Sequence, residues 1–422
     1  MTSERRGATE PRPSTTARGV PSDVEGRDKT MTSSLVFRKG LDLKDMVAAE
    51  LNQNYHSDLV EQIKAENFQF REGRLTVHLA REFGFCYGVD RAVDYAYQTR
   101  ERFPDRRVFL TGEIIHNPHV NDRLRSKGIQ FLTDAVEREP LGAHDVVVLP
   151  AFGVTTAEMQ RFSSIGCVMV DTTCGSVLNV WKNVKRYSQE GLTSIIHGKV
   201  WHEETQATAS HALESAGGHF LVVLDLNETA EVCRYIREGG DRNAFLARFR
   251  DAVSPGFDPD RDLAHIGLAN QTTMLMSESL QVQELLRQAI VDRYGPDGAE
   301  VRFRAFDTIC SATQDRQDAV VALLREQAID LMLVIGGYNS SNTCNLARIC
   351  AEKVPTFHIA DPECLQSATT IRYRPAGGKI EVEATGWLPP LGNVSVGLTS
   401  GASTPDNLVG TAVRRLGALC NP

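Results

Sequence analysis

The sequence reads Gly84-Phe85-Cys86-Tyr87-Gly88-Val89-Asp90 where an apolar, β-branched run ends and a helical pattern begins. The segments Asp171-Thr172-Thr173-Cys174 and Asp307-Thr308-Ile309-Cys310 occupy the same kind of junction. Each cysteine is therefore predicted to lie at the exit of a strand and at the N-terminus of a helix. Unpaired backbone N–H groups and the helix dipole favour the thiolate there, and the thiolate is the form that binds metal.

Strand and helix patterns alternate along most of the chain outward from these junctions. Strands are predicted at 75–79, 108–111, 146–149, 168–171, 194–197, 220–224, 266–268, 331–335 and 394–398, with helices at 89–102, 176–189, 277–293, 313–327 and 342–353. Repeated strand–helix units indicate an α/β fold with mostly parallel sheets. Because the three cysteines are far apart in sequence, they can meet only between separate units. This predicts three pseudo-symmetric α/β lobes around one central site.

The predicted domain boundaries follow the composition and these junctions. They are a disordered tail at 1–30, an N-terminal helical extension at 31–74, a first lobe at 75–173 that contains Cys86, a second lobe at 174–309 and a third lobe at 310–422. The tail is rich in Ser, Thr, Arg, Gly and Pro and has no apolar periodicity.

Composition narrows the class of protein. The chain has 422 residues, of which 41% are hydrophobic, and a formal charge of −8. That charge argues against nucleic-acid binding, and no apolar run approaches the roughly 18 residues that span a bilayer. Nine cysteines without a secretory signal fit a reducing compartment. The acidic residues in the first thirty positions argue against a plastid transit peptide, so we expect a bacterial cytoplasm.

The number and spacing of the three junction cysteines favour an iron–sulfur cluster at the central site. Three protein ligands would leave one iron with an open position, which is the feature that separates a catalytic metal site from a structural one. A zinc site normally requires a fourth Cys or His, and none lies near these three in sequence.

Five predicted strand exits carry more polar residues than a turn requires, at 112–119, 197–205, 270–273, 336–342 and 399–403. Taken singly, most such residues are helix caps or surface side chains. Together, their histidines, hydroxyls and amides at helix N-termini predict an anion site, with a phosphate group as the expected ligand. Neither a Walker A pattern nor G-x-G-x-x-G occurs among them, so nucleotide binding has no support.

Ordered motifs from about residue 77 to residue 409 resemble the LytB family of 4-hydroxy-3-methylbut-2-enyl diphosphate reductases, in the longer form of cyanobacteria and plastids. Besides the three cysteine segments, the motifs are Glu113-Ile114-Ile115-His116-Asn117-Pro118, His202-Glu203-Glu204, Gln271-Thr272-Thr273, Asn339-Ser340-Ser341-Asn342 and Gly401-Ala402-Ser403. The resemblance implies reductive removal of the substrate hydroxyl as water, giving isopentenyl and dimethylallyl diphosphate. This is the last step of the non-mevalonate isoprenoid pathway.

The resemblance also implies roles for individual residues. It implies a [4Fe–4S] cluster held by Cys86, Cys174 and Cys310, with the open iron facing the diphosphate substrate. Glu204 corresponds to the family's proton donor, and Thr272 to a residue that helps to relay the proton. The implied substrate-binding residues are His116, His202, Gln271, Ser340, Ser341, Asn342 and Ser403.

One position departs from the shorter bacterial members of the family. Those members have a second diphosphate-binding histidine where this chain reads Pro150-Ala151-Phe152-Gly153-Val154. Phe152 cannot donate that hydrogen bond, although the longer members resemble this chain here. The residue that replaces the histidine is left open.

The resemblance also bears on the partners of the protein, and two rival functions compete with it. No flavin or nicotinamide motif is present, so a small ferredoxin or flavodoxin is expected to supply electrons. The oligomeric state, monomer or homodimer, is left open. Two rival functions are an aconitase-type hydro-lyase, which needs no external electrons, and a non-catalytic iron–sulfur sensor or electron carrier.

Overall fold

The computed structural model describes residues 35–134, 140–306 and 308–421. The tail predicted at 1–30 and the residue Asp307 lie outside this part. Within it the chain forms three sheets, of four or five strands each, with helices on their faces. Every strand pair in the three sheets is parallel except the edge pair Gln69–Glu72 with Leu75–Leu79. The predicted α/β class with mostly parallel sheets is confirmed.

The sheets are named by their place along the chain, with strands given in spatial order. The N-terminal sheet contains Val36–Phe37, Val168–Asp171, Val146–Leu149, Val108–Leu110 and Gln130–Phe131. The middle sheet contains Phe303–Ala305, Ile266–Asn270, Thr193–His197 and Phe220–Val223. The C-terminal sheet contains Thr356–Ile359, Leu331–Ile335, Val394–Ser400, Leu75–Leu79 and Gln69–Glu72. A separate antiparallel pair joins Thr370–Tyr373 to Val382–Thr385.

The described α-helices are Lys44–Tyr55, Asp58–Ala65, Tyr87–Arg102, Pro118–Ser126, Thr156–Ile165, Gly175–Gln189, Glu203–Ala212, Leu226–Glu238, Arg242–Arg248, Pro259–Asp262, Met276–Arg302, Ser311–Glu326, Ser341–Ala351 and Asp406–Cys420. Short 3₁₀ turns lie at Leu132–Asp134 and Pro362–Cys364. Gly295, at φ 75°, and Pro296 interrupt the helix Met276–Arg302. None of the described helices is both long and apolar enough to cross a membrane.

The central strands are buried along their whole length, as expected for parallel strands covered by helices on both faces. Every residue of Val146–Leu149, Ile266–Asn270 and Leu331–Ile335 is buried. Their β-branched and aliphatic side chains form the core of each sheet.

At each of the three cysteines the chain crosses from one sheet to the next. Leu75–Leu79 belongs to the C-terminal sheet, but the helix after Cys86 buries Val89, Ala92, Val93, Ala96 and Tyr97 against the N-terminal sheet. That set has the three- and four-residue spacing of one helix face.

The other two junctions repeat this arrangement. The strand before Cys174 lies in the N-terminal sheet, whereas Tyr187 of the following helix donates its hydroxyl to Leu268 O of the middle sheet at 2.8 Å. The strand before Cys310 lies in the middle sheet, and Val320 of the next helix packs against Val334 of the C-terminal sheet. The cysteines are therefore placed where the sheets meet.

The lobes predicted at 75–173, 174–309 and 310–422 stay a prediction, but the sheet pairing of one strand differs from them. The strand at 75–79, assigned by prediction to the first lobe, instead pairs with Val394–Ser400 in the C-terminal sheet. The region 31–74 contains the expected helices Lys44–Tyr55 and Asp58–Ala65, and it also supplies an edge strand to two different sheets. The pairing partner of a strand is set by distant segments, so local patterns did not reveal it.

Candidate active site

Each of the three cysteines is the N-cap residue of a helix. Cys86, Cys174 and Cys310 have extended backbone conformations, and none of their side chains caps its own helix. The backbone N–H of each cysteine donates to the carbonyl of another strand-exit loop: Ala402 at 3.1 Å, Ala151 at 2.8 Å and Thr272 at 3.2 Å, respectively. The sulfur atoms are thus held at helix N-termini but remain available to a ligand.

Burial disfavours the negatively charged thiolate, whereas the helix N-termini favour it. It raises the pKa of the Cys86 thiol, and it raises the pKa of Cys310 to about 11, although first-turn backbone N–H groups lower both values. The expectation that helix position alone would favour thiolates is therefore too simple. A coordinating metal removes the thiol proton outright, so these buried thiols require such a partner to ionise.

The three cysteines line one cavity of about 110 Å³. One water needs roughly 10–15 Å³ of such space, so the cavity has room for a much larger group. Gly88 keeps part of it open, since a Cβ there would lie 2.6 Å from Cys174 Sγ and 4.0 Å from Cys86 Sγ. Three sulfurs around a space kept free by a glycine are a donor set that fits an iron–sulfur cluster.

The spacing of the sulfurs argues against a single zinc ion. Among the described residues, a group of three ligand atoms within 4.8 Å of one another occurs at His116, His202 and Glu203, and not at the cysteines. Zinc–sulfur bonds of about 2.3 Å would bring any two sulfurs closer than that. At least two of the three sulfurs are therefore farther apart than a single zinc ion allows, which suits a cluster of several metal atoms.

Hydrogen-bond donors form the wall of the cavity beside the cysteines. Ser340 is the N-cap of the helix Ser341–Ala351, and its Oγ accepts from Thr343 N and Oγ1. Asn342 Oδ1 accepts from Ala402 N at 3.1 Å, whereas its buried Nδ2 has no partner among the described residues. A helix N-terminus with free hydroxyl and amide donors is a site for an anion.

Two imidazoles join this wall. His202 Nδ1 accepts from Glu204 N at 3.1 Å, so its Nε2 carries the hydrogen and faces His116 Nε2 at 3.2 Å. His116 Nδ1 in turn lies 2.8 Å from Glu113 Oε2. Burial, together with the nearby His116 and Lys199, lowers the pKa of His202 to about 3, so this ring is a neutral donor at physiological pH.

Phe152, at the position of the departure noted above, packs against both imidazoles. Its ring is stacked on His116 with centroids 4.7 Å apart, and it meets His202 edge-on at 6.0 Å. Phe152 also lines the cavity. It therefore orients the two histidines and adds apolar surface, but it offers no hydrogen bond.

Glu204 is a buried carboxyl at the centre of the site, 3% exposed. Its Oε1 accepts from Thr272 N at 2.6 Å and its Oε2 from Thr272 Oγ1 at 3.0 Å. Burial raises the pKa of Glu204 to about 7, although the bonds from Thr272 and the nearby His116 oppose the rise. A carboxyl with this pKa can hold and release a proton near neutral pH.

Most of the predicted site residues line this one cavity: Cys86, His116, Cys174, His202, Glu204, Thr272, Cys310, Ser340, Ser341, Asn342 and Ser403. Gln271 is not among the lining residues. Its amide instead bonds Lys199 N, Thr205 Oγ1, Thr273 Oγ1 and Ser341 Oγ, so it supports the wall from behind.

Sequence reasoning assigned no role to Lys199 or Glu113. Lys199 Nζ donates to Ser341 Oγ at 2.8 Å, and Glu113 contacts His116. Both residues lie in the strand-exit loops that the sequence singled out, and charged residues in those loops were the available signal.

The comparisons with known proteins agree with this geometry. A family model described as LytB protein matches residues 77–417. The 4-hydroxy-3-methylbut-2-enyl diphosphate reductase of Gloeobacter violaceus is 48% identical over 92% of this chain and 93% of its own length. The protein of the same name from Thermosynechococcus vestitus is 46% identical over 92% of this chain and 96% of its own length.

Solved structures show the same fold. The structure described as (E)-4-hydroxy-3-methyl-but-2-enyl diphosphate reductase, the terminal enzyme of the non-mevalonate pathway, has a TM-score of 0.51 and 25% identity, covering 81% of this chain and 99% of that one. The corresponding reductase from Plasmodium falciparum has a TM-score of 0.59 and 20% identity, covering 82% and 88%. The family model and the close relatives together show that this chain belongs to the LytB family.

Proposed function

We propose that this chain is an oxidoreductase that converts (E)-4-hydroxy-3-methylbut-2-enyl diphosphate to isopentenyl diphosphate and dimethylallyl diphosphate, the last step of the non-mevalonate isoprenoid pathway. The observation that carries this proposal is the convergence of three cysteines, an anion-binding wall and a buried carboxyl on one cavity. The names of the close relatives support the same reaction.

The cofactor in this proposal is a [4Fe–4S] cluster held by Cys86, Cys174 and Cys310. When bound, it supplies electrons and a Lewis-acidic iron without a protein ligand. The free space beside Gly88 and the wide spacing of the sulfurs support this assignment.

The diphosphate group occupies the wall of hydrogen-bond donors beside the cysteines. The hydroxyl groups of Ser340 and Ser341 and the unpartnered amide of Asn342 donate to it. The Nε2–H of His202, which faces His116 Nε2, and the hydroxyl of Ser403, which donates to His116 O at 3.2 Å, turn to the anion when it binds. These groups are held in place by their own hydrogen bonds, so little ordering is required when the anion binds.

Glu204 and Thr272 deliver the proton that lets the substrate hydroxyl leave as water. Protonated Glu204 donates to Thr272 Oγ1, whose own hydrogen is then free to reach the substrate hydroxyl. Cys310 N donates to Thr272 O at 3.2 Å, so the pair adjoins one of the proposed cluster ligands, which supports this role. Overall, the reaction takes up two electrons and two protons and releases one water.

Electrons come from a small partner, a ferredoxin or a flavodoxin, in this proposal. The brief encounters of such carriers bury little surface. The location of the protein in a bacterial cytoplasm stays a prediction. The oligomeric state, monomer or homodimer, stays open.

Anaerobically purified protein tests the proposed function. We expect a paramagnetic cluster signal that changes on addition of the diphosphate substrate, and formation of both products only when a reductant is supplied. Turnover without a reductant would instead indicate a hydro-lyase. A cluster signal indifferent to the substrate would indicate a sensor or carrier.

Cysteine variants separate the cluster ligands from the other thiols. We expect each of the variants Cys86→Ser, Cys174→Ser and Cys310→Ser to lose both its bound iron and its activity. The buried Cys233 lies in an apolar cluster of the middle sheet, so Cys233→Ala is the control that keeps both.

A further inference from the structure

Lys199 is a half-buried cation behind the anion-binding wall, outside the residues that line the cavity, and the chemistry above does not use it. Its Nζ donates to Ser341 Oγ at 2.8 Å, and burial lowers its pKa. No carboxylate of the described residues forms an ion pair with it. Removing an ammonium group from water without an opposing charge is unfavourable, so this position favours the arrival of an anion.

The bond from Lys199 determines how Ser341 can act. Ser341 Oγ also accepts from Gln271 Nε2 at 3.2 Å, so both of its lone pairs are used. Its hydroxyl hydrogen is left to donate, and Ser341 lines the cavity. The hydroxyl of Ser341 is therefore a hydrogen-bond donor next to the positive charge of Lys199. Such a charge-assisted donor binds an oxyanion more strongly than a neutral hydroxyl does.

The backbone around Lys199 is fixed. Lys199 N donates to Gln271 Oε1 at 3.1 Å, and its carbonyl accepts from His202 N at 3.0 Å. The preceding Gly198 has no room for a side chain, because a Cβ there would lie 2.8 Å from Thr205 Oγ1 and 2.9 Å from Gln271 Cβ. The ammonium group is therefore presented by a built site rather than by a free surface chain.

The other cations near Lys199 already have partners. Arg374 donates to Cys344 Sγ at 2.7 Å and lies over the ring of Tyr338, and Arg348 faces Glu278 at 4.0 Å. His202 is neutral, and Phe152 carries no donor. A diphosphate group bears several negative charges, and among the described residues no carboxylate forms an ion pair with Lys199, although the nearby Cys344 raises its pKa.

We propose that Lys199, acting through Ser341, provides the positive charge that binds the diphosphate group, and so compensates for the donor absent at Phe152. This inference rests on the proposed function for the identity of the anion. In this proposal Lys199 is a positioning residue. Its charge stabilises the bound diphosphate group in the ground state as well as during the reaction.

Inorganic diphosphate binding to the anaerobically purified holoenzyme, measured by titration calorimetry, tests the charge directly. We expect Lys199→Met to weaken binding by about 10- to 100-fold, the range for loss of a hydrogen bond to a charged group. Lys199→Arg should restore most of the affinity, because it keeps the charge. The exposed Lys182, on the helix after Cys174, provides the control Lys182→Met, which should bind as the unmodified chain does.

Steady-state kinetics with the organic substrate gives the second readout. Lys199→Met is expected to raise KM with little change in kcat, because a uniform binding contribution is removed. Its affinity for diphosphate should also depend less on ionic strength. The cluster absorbance and the melting temperature of each variant identify any loss of folding.

The outcomes separate this inference from the proposed function. Equal diphosphate affinity and equal KM in Lys199→Met and Lys182→Met would overturn the role of Lys199, whatever the reaction. Loss of affinity in Lys199→Arg as large as in Lys199→Met, with both variants folded, would also overturn it. Charge-dependent diphosphate binding in a chain that does not reduce the substrate would support Lys199 and refute the proposed reaction.

Discussion

The carboxylate of Glu204 accepts two hydrogen bonds from a single residue, Thr272, one from its backbone N–H at 2.6 Å and one from its hydroxyl at 3.0 Å. Both bonds favour the ionised carboxylate, yet burial prevails and raises the pKa of Glu204 to about 7. The carboxyl of Glu204 therefore gains and loses its proton close to physiological pH, as a proton donor requires.

Replacing the carboxyl of Glu204 tests its assignment as the acid. Glu204→Gln keeps the shape of the side chain but cannot release a proton, so we expect kcat to fall by about 10²–10⁴-fold. Bound iron, the cluster signal and diphosphate affinity should stay unchanged. Glu352→Gln, at an exposed position after the helix Ser341–Ala351, is the matched control. Unchanged turnover in Glu204→Gln would refute the assignment.

The pH dependence of turnover follows from the same pKa. The protonated form of Glu204 is the donor, so kcat should be level below pH 7 and should fall as the pH rises through about 7. The hydroxyl of Thr272 holds this pKa down. Thr272→Val should therefore move the falling limb to higher pH while lowering the plateau, and Thr272→Ser should restore both. A limb at the same pH in Thr272→Val would contradict this account.

Protein stability should change with pH in the same direction because of that carboxyl. The pKa of Glu204 is raised from 4.5 to about 7 in the folded state, so the folded state holds the proton more tightly than the unfolded state. The resulting stability is fully present below about pH 4.5 and is lost as the pH rises through 7.

Removing the ionisable group should remove this loss. The free energy of unfolding of Glu204→Gln, relative to the unmodified chain, should rise by about 3 kcal/mol between pH 4 and pH 8. Denaturant titrations at the two pH values measure it on metal-free protein. A difference that is the same at both values would show that Glu204 titrates normally.

Two glycines near the cysteines provide a matched test of the cluster space. Gly88→Ala would place a Cβ 2.6 Å from Cys174 Sγ, whereas Gly175→Ala meets nothing within 4 Å. Both residues lie in the first turn of a helix that follows a cysteine. We expect Gly88→Ala to lose most of its bound iron, measured by metal analysis, and Gly175→Ala to retain it. Equal iron content would mean that the sulfurs do not share the space beside Gly88.

Local features of this chain were predictable from its residues. Apolar, β-branched runs indicated the strands before the first two junctions, helical patterns indicated the helices after all three, and Cys86, Cys174 and Cys310 are N-cap residues as expected. The interruption at Gly295 and Pro296 also agrees with the predicted end of that helix at 293. Such features depend on residues within a few positions of one another.

Other features were not readable from local patterns. The hydrogen bonds of Gln271 to Lys199 N and Ser341 Oγ join three loops, and its role in substrate binding stays a prediction. The stacking of Phe152 on His116 likewise joins two loops whose separate sequences do not reveal the contact.

The sequence by itself determined the α/β alternation, the position of each cysteine at a helix N-terminus and the identity of the residues offered at the strand exits. Only the tertiary structure decided that the strand Leu75–Leu79 pairs with Val394–Ser400, that the chain changes sheet at each of the three junction cysteines, and that Lys199 reaches Ser341. Capping and side-chain periodicity are properties of neighbouring residues. Parallel strand pairing and the meeting of three loops are set by packing between segments that are distant along the chain, and no single segment specifies them.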